Sequence, residues 1–266
     1  MGSKAKVYAP TRYRTILGHG TQKESDDERM TAYIFDVDGT LTPSRGRIDP
    51  EFGAWFVDFA RANPVYLVTG SDRDKTMEQV GELVYNTCQT VYQCSGNDVW
   101  VGENRLRKNT WRLPDEMWSW LENQLYASRW VQYTGNHFDE RPGLLNFSIV
   151  GRNCMDHQRN AYIVHDEKTN ERHSIASAFN ERFLEQGVQA QVAGETGLDI
   201  MPVGAGKEQI LADFMPQTVI KFFGDKTMPG GNDHDIAQAV IGWNADSNAL
   251  QVKDWEQTWS FLRAMV

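Results

Sequence analysis

The chain lacks the features that mark secreted, membrane-spanning and nucleic-acid-binding proteins. Its three cysteines, Cys88, Cys94 and Cys154, are an odd number in no metal-like spacing, which favours a reducing environment over a disulfide framework. No apolar run reaches the length of a membrane span, and the first residues contain no apolar signal core. The 27 basic residues against 36 acidic ones argue against a general nucleic-acid surface. We therefore expect a cytoplasmic protein with neither membrane nor nucleic acid as a partner.

What remains is the composition of an ordinary globular protein. Hydrophobic residues make up 40% and charged residues 24% of 266 residues, enough for one large domain or two modest ones. Residues 1–30 are polar and include the charged run from Lys23 to Arg29, which predicts a loosely ordered extension. The alternative is packing on the domain through its apolar residues, Tyr8, Tyr13, Ile16 and Leu17.

One short stretch, YIFDVDGTLT from Tyr33 to Thr42, combines a buried strand with acidic residues. Its first three residues are apolar, and Asp36, Asp38 and Gly39 follow. Bulky apolar residues predict a buried strand, and the carboxylates and glycine predict that it ends in a turn. Side chains at i and i+2 of extended backbone face the same side, so both carboxylates can address one ligand. The alternative is a solvated acidic turn.

Alternating strands and helices follow this stretch. Residues Pro50–Ala62 predict an amphipathic helix with Asp49 as N-cap. Val65–Val68 predicts a second buried strand, and a helix capped by Ser71 follows it, with a buried stripe at Met77, Val80 and Val84. A further strand is expected near Val91. This order is typical of a doubly wound, Rossmann-like parallel sheet.

A tryptophan-rich region interrupts the pattern. Five tryptophans lie between positions 100 and 130, and we expect them in the core and in domain contacts. The predicted elements of this region are a helix over Pro114–Ser128, a strand over Leu144–Val150, a helix over Ser174–Gln186 and a strand over Val188–Val192. We predict an inserted α+β cap domain over residues 111–203, and a catalytic α/β core over residues 31–110 and 204–266.

The βα pattern then resumes. It is predicted from a strand over Leu198–Val203, a turn and helix over Gly204–Phe214 and a strand over Thr218–Phe223. Trp255, Trp259 and Leu262 indicate a final helix. The core is therefore expected to be split in sequence around the cap.

Four polar groups lie at the ends of predicted strands: Asp36 with Asp38, Thr69, Lys207, and Asp225 with Asp233. Their order resembles the motif set of the haloacid-dehalogenase-like superfamily. Longer segments resemble eukaryotic-type phosphomannomutases, namely FDVDGTLT (Phe35–Thr42), GSD (Gly70–Asp72), RPGLLNFSIVGRNC (Arg141–Cys154) and FFGDKTMPGGNDHDI (Phe222–Ile236). The resemblance implies a haloacid-dehalogenase-like core with a cap.

The resemblance also implies how these residues act. Asp36 would attack phosphorus and form an aspartyl phosphate. Asp38 would protonate the leaving sugar oxygen and deprotonate the next nucleophile. Thr69 would bind a phosphoryl oxygen, and Lys207, eight residues after Asp199 as in the family, would neutralise charge.

A magnesium site is expected at the same place. Two anions repel, so a hard cation with oxygen ligands must lie between the nucleophile and the phosphate. Asp36, the Asp38 backbone carbonyl and Asp225 would bind Mg²⁺ directly, and Asp233 would orient its waters or Lys207 from behind.

The resemblance gives a substrate-binding set of Arg45, Arg141, Arg152, Arg159, Asp199, Gly197 and Ser71. The four arginines would bind the phosphate that is not reacting, since the arginine fork binds phosphate oxygens in pairs. The alternative is that they are surface charges. Gly197 stands where the family has a serine, so a hydroxyl donor to the sugar is lost.

The predicted activity is that of a phosphohexomutase, which interconverts hexose 6-phosphate and hexose 1-phosphate. Mannose is the first candidate for the hexose, as in GDP-mannose biosynthesis. The reaction would pass through a hexose bisphosphate, which would also serve as activator, and the protein could pair through its cap. Thr69, where the mutases have glycine, leaves a magnesium-dependent sugar-phosphate phosphatase as the alternative. The segment AQAVIGWNADSN, which replaces the family's acidic cation loop, leaves the same alternative open. A catalytically silent sugar-phosphate-binding homologue is the third candidate function.

Overall fold

The computed structural model describes residues 30–265, so the predictions for the polar extension fall almost entirely outside the described residues. The strands are β1 Thr31–Phe35, β2 Val65–Val68, β3 Thr90–Gln93, β4 Asp98–Val101, β5 Asn104–Lys108, β6 Phe138–Arg141, β7 Leu144–Phe147, β8 Val188–Ala193, β9 Gly197–Pro202, β10 Val219–Gly224 and β11 Asn248–Gln251. The helices are α1 Pro50–Ala62, α2 Arg73–Val80, α3 Glu82–Thr87, α4 Asp115–Ala127, α5 Asp156–Thr169, α6 Glu171–Phe183, α7 His234–Ile241 and α8 Trp255–Arg263. None of these helices is both long and apolar enough to span a bilayer.

A seven-stranded sheet forms the core, in the order β11-β10-β1-β2-β3-β4-β5. Strands β11 to β3 in this order pair in parallel, and the hairpin β4–β5 adds an antiparallel edge. One face packs Phe35 and Leu67 against α1 and α8, and the other packs Ile34 and Phe222 against α7. Helices on both faces of a parallel sheet confirm the predicted doubly wound α/β core.

A second sheet has the order β6-β7-β9-β8, and every pairing in it is antiparallel. Helices α4 and α6 and residues of α5 pack on it around a hydrophobic cluster of its own. Trp111, Trp118, Trp120 and Trp130 lie partly buried against this cluster, and Trp100 packs against the core cluster. The cap boundaries remain a proposal, which the separate clusters support.

The strand expected over Leu198–Val203 has a different place from the one predicted. It is β9, and it pairs with β7 and β8 in the second sheet rather than continuing the parallel core. The reason is local, because β8 and β9 form an antiparallel hairpin that a short turn suffices to close. Lys207 therefore does not follow a core strand, and it begins a 3₁₀ segment, Lys207–Asp213.

The helix expected after β2 also differs in two respects. Asp72 is its N-cap, accepting a hydrogen bond from the Lys75 N–H, so the prediction of Ser71 as the cap is wrong. The helix divides into α2 and α3 at Gly81, whose φ of +80° breaks the helical backbone. The carboxylate of Asp72, one residue later than expected, reaches the free N–H groups better than the Ser71 hydroxyl.

Candidate active site

The centre of the site is a lysine between two aspartates. Asp36 follows β1, Lys207 begins the 3₁₀ segment and Asp233 precedes α7. The Lys207 Nζ donates to Asp36 Oδ1 and Asp233 Oδ1, each at 2.6 Å, and all three side chains are buried. Burial lowers the pKa of Lys207, but Asp233 and Asp36 outweigh it, so its pKa is raised. The lysine is therefore a fixed positive charge beside Asp36.

Three carboxylates converge on one point next to this lysine. One ligand atom each from Asp36, Asp225 and Asp233 lies within 4.8 Å of the others. The Asp36 Oδ2 is buried and has no hydrogen-bond partner within the described chain. Burial and Asp233 raise the pKa of Asp36, and burial raises that of Asp225 to about 6. Crowded carboxylates with an unpartnered oxygen fit a hard divalent cation, which would relieve their repulsion.

Two glycines make this convergence possible. Gly39 has a φ of +78°, and a Cβ there would lie 2.5 Å from Asp225 Oδ2. A Cβ at Gly224 would lie 2.6 Å from Asp233 Oδ2. Any side chain at either position would therefore displace a carboxylate of the cluster.

The carboxylate of Asp38 is held by two donors on one oxygen. Its Oδ1 accepts from the Arg45 backbone N–H at 2.6 Å and from Gln79 Nε2 at 2.9 Å. Gln79 lies on α2 and is 1% exposed. Sequence reasoning missed it, because one buried glutamine on a helix carries no signal of what it faces.

Thr69 and Ser71 lie in the loop after β2. Thr69 is 1% exposed, and its Oγ1 accepts from the Ser71 N–H at 3.1 Å, which leaves the threonine hydroxyl proton available. The Ser71 carbonyl accepts from the Cys94 N–H, but its hydroxyl forms no hydrogen bond within residues 30–265. The structure thus gives a contact between these two candidates and none from the Ser71 side chain to the others.

Electrostatic repulsion connects the four predicted arginines in a series, from Arg141 through Arg152 and Arg45 to Arg159. Burial and then Arg141 and Arg45 lower the pKa of Arg152 to about 10. Burial and then Arg159 lower the pKa of Arg45. Arg45 comes from the loop after β1, whereas Arg141 ends β6, Arg152 lies in the loop after β7 and Arg159 lies on α5. Mutual repulsion among partly buried guanidinium groups is typical of a site that an anion would stabilise.

Carboxylates partly neutralise this cluster. Arg141 Nη2 lies 2.7 Å from Asp139 Oδ2, and Arg152 Nε lies 3.5 Å from the same atom. The guanidinium of Arg159 donates twice to Glu195, with its Nε at 2.9 Å. Sequence reasoning missed Asp139 and Glu195, since only the fold shows which acid faces an arginine.

Asp199 is buried beside a side chain that fills the space left by the missing serine. Its Oδ1 accepts from Asn146 Nδ2 at 2.6 Å. A Cβ at Gly197 would lie 2.7 Å from Asn146 Nδ2, so the glycine leaves room for this amide. A Cβ at Gly70 would lie 3.3 Å from Asp199 Oδ2, so Asp199 approaches the core loop after β2.

The second sheet contacts the core at two separate points. Arg141 Nη1 donates to the Gly70 carbonyl at 2.8 Å. Gln191 on β8 donates to Asp235 on α7, also at 2.8 Å. Asp38 attracts Arg45, and Arg141, Arg152 and Lys207 all act on Asp199, so these arginines lie near the carboxylate centre.

Comparisons with known proteins agree with this arrangement. Residues 55–257 match the family model described as eukaryotic phosphomannomutase. The chain belongs to the eukaryotic phosphomannomutase family. Over 224 residues it is 32% identical to a Caenorhabditis elegans protein named "Probable phosphomannomutase", covering 77% of this chain and 85% of that protein. Membership confirms the resemblance and the prediction of an enzyme of the phosphohexomutase class.

Solved structures with low sequence identity show the fold. The C-terminal domain of Candida albicans trehalose-6-phosphate phosphatase is 12% identical, with a TM-score of 0.61 over 89% of this chain and 92% of that one. A haloacid dehalogenase-like hydrolase from Bacteroides thetaiotaomicron is also 12% identical, with a TM-score of 0.55 over 90% of this chain and 100% of that one. They confirm the haloacid-dehalogenase-like fold class.

Proposed function

We propose that this enzyme interconverts hexose 6-phosphate and hexose 1-phosphate, with mannose as the first candidate sugar. The observation that carries the proposal is the arginine cluster that lies near the carboxylate centre. A hydrolase needs one phosphate site, whereas a mutase also needs a second site for the phosphate that is not reacting. Arginines that repel one another, contributed both by the core loop after β1 and by the region of the second sheet, suit that second site. The names of the relatives support mannose.

In the proposed reaction, the bisphosphate activator first phosphorylates Asp36. The free hydroxyl oxygen of a hexose monophosphate then attacks this phosphoryl group, the bond from phosphorus to Asp36 Oδ breaks, Asp38 takes the hydroxyl proton, and a hexose bisphosphate forms. The bisphosphate turns around, Asp36 Oδ attacks its other phosphorus, the bond from phosphorus to the sugar oxygen breaks, and Asp38 gives the proton to that oxygen, which releases the isomeric monophosphate. Lys207 keeps its positive charge throughout, because two carboxylates hold its proton. Thr69 would donate its free hydroxyl proton to a phosphoryl oxygen.

The distal phosphate would be held by Arg45, Arg141, Arg152 and Arg159. Arg141, Arg152 and Arg159 each form an ion pair with a carboxylate, and Arg45 is repelled by Arg159. A phosphate dianion would attract all four guanidinium groups. Asp199 would accept from sugar hydroxyls, and Gly197 would let Asn146 stay against it. The Ser71 hydroxyl, which forms no hydrogen bond within the described chain, would complete the sugar contacts.

We propose Mg²⁺ as the cation of the carboxylate cluster. Asp36, the Asp38 backbone carbonyl and Asp225 would hold it, and Asp233 would support it and Lys207 from behind. The unpartnered Asp36 Oδ2 and the raised pKa of Asp225 support a cation there. When bound, Mg²⁺ would neutralise charge so that an anionic nucleophile can approach an anionic phosphate.

Phosphorus NMR distinguishes the candidate activities. The protein is incubated with mannose 1-phosphate, Mg²⁺ and a trace of hexose 1,6-bisphosphate as activator. A growing 6-phosphate signal is expected for the mutase. Inorganic phosphate alone would instead identify a sugar-phosphate phosphatase, the alternative that the Thr69 hydroxyl favours. An unchanged spectrum with mannose and glucose phosphates would indicate a silent binding homologue, against which the intact Asp36–Lys207–Asp233 centre argues.

Two further properties belong to this proposal. We place the enzyme in the cytoplasm, which the three unpaired cysteines support. We also propose a homodimer through residues 111–203, whose exposed apolar side chains include Tyr126 and Val131. Sedimentation of the purified protein tests the dimer.

A further inference from the structure

We propose that Gln79 is the positioning residue for Asp38, and that it leaves Asp38 Oδ2 as the oxygen through which protons move. The inference rests on the proposed acid–base role of Asp38. It adds a residue of α2 to the reaction, outside the loops that carry the other groups of the centre.

The contact is direct, and its two partners are distant in the sequence. Gln79 Nε2 donates to Asp38 Oδ1 at 2.9 Å across a separation of 41 residues. The same nitrogen lies 3.3 Å from Thr42 Oγ1. Asp38 Oδ1 also accepts from the Arg45 N–H, whereas no hydrogen bond within residues 30–265 reaches Oδ2. One carboxylate oxygen is therefore fixed twice, and the other is free to carry a proton.

The orientation of the amide supports this function. Gln79 is 1% exposed, and its Oε1 is buried without a hydrogen-bond partner among the described residues, 30–265. A buried acceptor without a donor is unfavourable, so a helix selected for stability alone would favour an apolar side chain here. Rotating the amide by half a turn would place Oε1 against Asp38 Oδ1, where two acceptors repel. The amide is therefore oriented so that Nε2 donates to Asp38, although this orientation leaves Oε1 without a hydrogen bond.

The backbone around Asp38 is fixed by the same residue. The Gln79 carbonyl accepts from the Ile48 N–H at 2.8 Å, so both ends of Gln79 hold the loop between β1 and α1. That loop includes Arg45, which has a φ of +57° and directs its N–H at Asp38. Gln79 thus fixes Asp38 directly and supports the second donor as well.

The proton path follows from this geometry. When the bond from phosphorus to the sugar oxygen breaks, the proton on Asp38 Oδ2 passes to that oxygen and the negative charge stays on the Asp38 carboxylate. Gln79 and the Arg45 N–H receive that charge at Oδ1. When the free hydroxyl of a hexose monophosphate attacks the phosphoryl group on Asp36, its proton passes to Oδ2.

Leaving-group dependence tests the inference. Phosphorylation of Asp36 is followed by quenched flow and intact-protein mass spectrometry, with glucose 1,6-bisphosphate or acetyl phosphate as donor. An alkoxide needs a proton to leave, whereas acetate does not. Gln79→Met removes the donor at similar length and should slow phosphorylation by the bisphosphate about ten- to a hundredfold, which is part of the roughly hundredfold or more that a positioned acid supplies. The rate with acetyl phosphate should stay within about twofold of wild type on the same reasoning.

A matched control separates positioning from stability. Gln93→Met changes another fully buried glutamine, whose Nε2 donates to the Tyr85 hydroxyl and not to Asp38. It should leave the ratio of the two donor rates at the wild-type value. If Gln79→Met does not fold, Gln79→Asn keeps the amide but draws it back by one methylene, and the same change in the ratio is expected.

Equal losses with the two donors, or an unchanged rate with the bisphosphate, would overturn the positioning role. If the wild-type protein forms no phosphoenzyme with either donor, the proposed function fails first and this inference falls with it. The two failures are therefore distinguishable in one set of measurements.

Discussion

At the scale of single residues, the buried position of Asp36 disfavours its negative charge, and Lys207 compensates for this. Burial and Asp233 raise its pKa, and Lys207 at 2.6 Å opposes them. Asp36→Asn keeps the shape and removes the nucleophile. Turnover of hexose phosphates should fall below detection, while the circular dichroism spectrum stays unchanged. Asp74→Asn, on the exposed surface of α2, is the control and should keep wild-type turnover.

The cation site gives a second expectation at this scale. Burial raises the pKa of Asp225 to about 6, so at pH 7.5 its charged form destabilises the metal-free fold. This loss of folding stability is present above the folded-state pKa of Asp225 and disappears as the pH falls below it, because the carboxyl group is then protonated. Asp225→Asn should therefore raise the melting temperature in EDTA. It should also abolish the rise in melting temperature that Mg²⁺ gives the wild type. A persisting Mg²⁺ effect would exclude Asp225 as a ligand.

The arginine cluster predicts a loss of binding without a loss of fold. Arg152 pairs with Asp139 at 3.5 Å but is repelled by Arg141 and Arg45. Arg152→Ala should change the melting temperature little, since these effects oppose each other. It should weaken glucose 1,6-bisphosphate binding about ten- to a hundredfold, because a hydrogen bond to a charged group usually contributes about that factor to an equilibrium constant. Calorimetry should find no comparable loss for acetyl phosphate, which has no distal phosphate.

The sequence indicated which residues meet at the centre but not what holds them. Asp36, Lys207 and Asp233 follow from motif order, and the structure brings them together. Gln79 and Glu195 could not be predicted, because an amide or acid gains its role from the side chain it faces. That partner lies 41 residues away for Gln79 and 36 residues away for Glu195.

At the scale of elements, α5 buries a stripe of polar rather than apolar residues. Arg159, Tyr162 and Asp166 form its buried face. Asp166 accepts from the Arg172 N–H and Nε, each at 2.8 Å, and so fixes the start of α6. Asp166→Ala should lower the free energy of unfolding by about 2–3 kcal/mol, because a partly buried arginine loses its partner. Urea unfolding measures this, and the exposed Glu167→Ala should cost almost nothing.

This polar stripe also explains which elements the sequence could not predict. Helices α1, α4 and α6 bury phenylalanine, methionine or leucine at helical spacing and were predictable. Helix α5 has the same spacing, but two of its three buried residues are charged, so no hydrophobic period appears. Strand β5 reads NRLRK and is exposed throughout, so only its pairing with β4 identifies it.

At the scale of the whole molecule, we propose that the second sheet moves to admit a substrate. Contacts from Arg141 to Gly70 and from Gln191 to Asp235 hold it against the core at two points. The two segments that connect the core with the second sheet both contact Asn97. Its side chain donates to the Ala205 carbonyl and accepts from the Asn109 side chain. Hinges near residues 108–114 and 201–206 would therefore turn about one fixed point.

X-ray scattering tests this motion. Glucose 1,6-bisphosphate should reduce the radius of gyration, because a bound dianion favours the closed arrangement over an open one. The Arg152→Ala protein should show a smaller reduction at the same ligand concentration. Superimposable curves for the wild type with and without ligand would contradict closure.

The split of the core around the second sheet has a consequence for synthesis on the ribosome. Strand β1 lies in the middle of its sheet, yet its neighbour β10 begins at Val219, and Asp36 meets Lys207 across 171 residues. During translation β1 has one open edge until most of the chain has emerged, and Asp36 has no cationic partner. The second sheet, whose strands all lie between Phe138 and Pro202, can pair much earlier. Once Pro202 has left the exit tunnel of the ribosome, a folded insert would therefore stand beside an unfinished core.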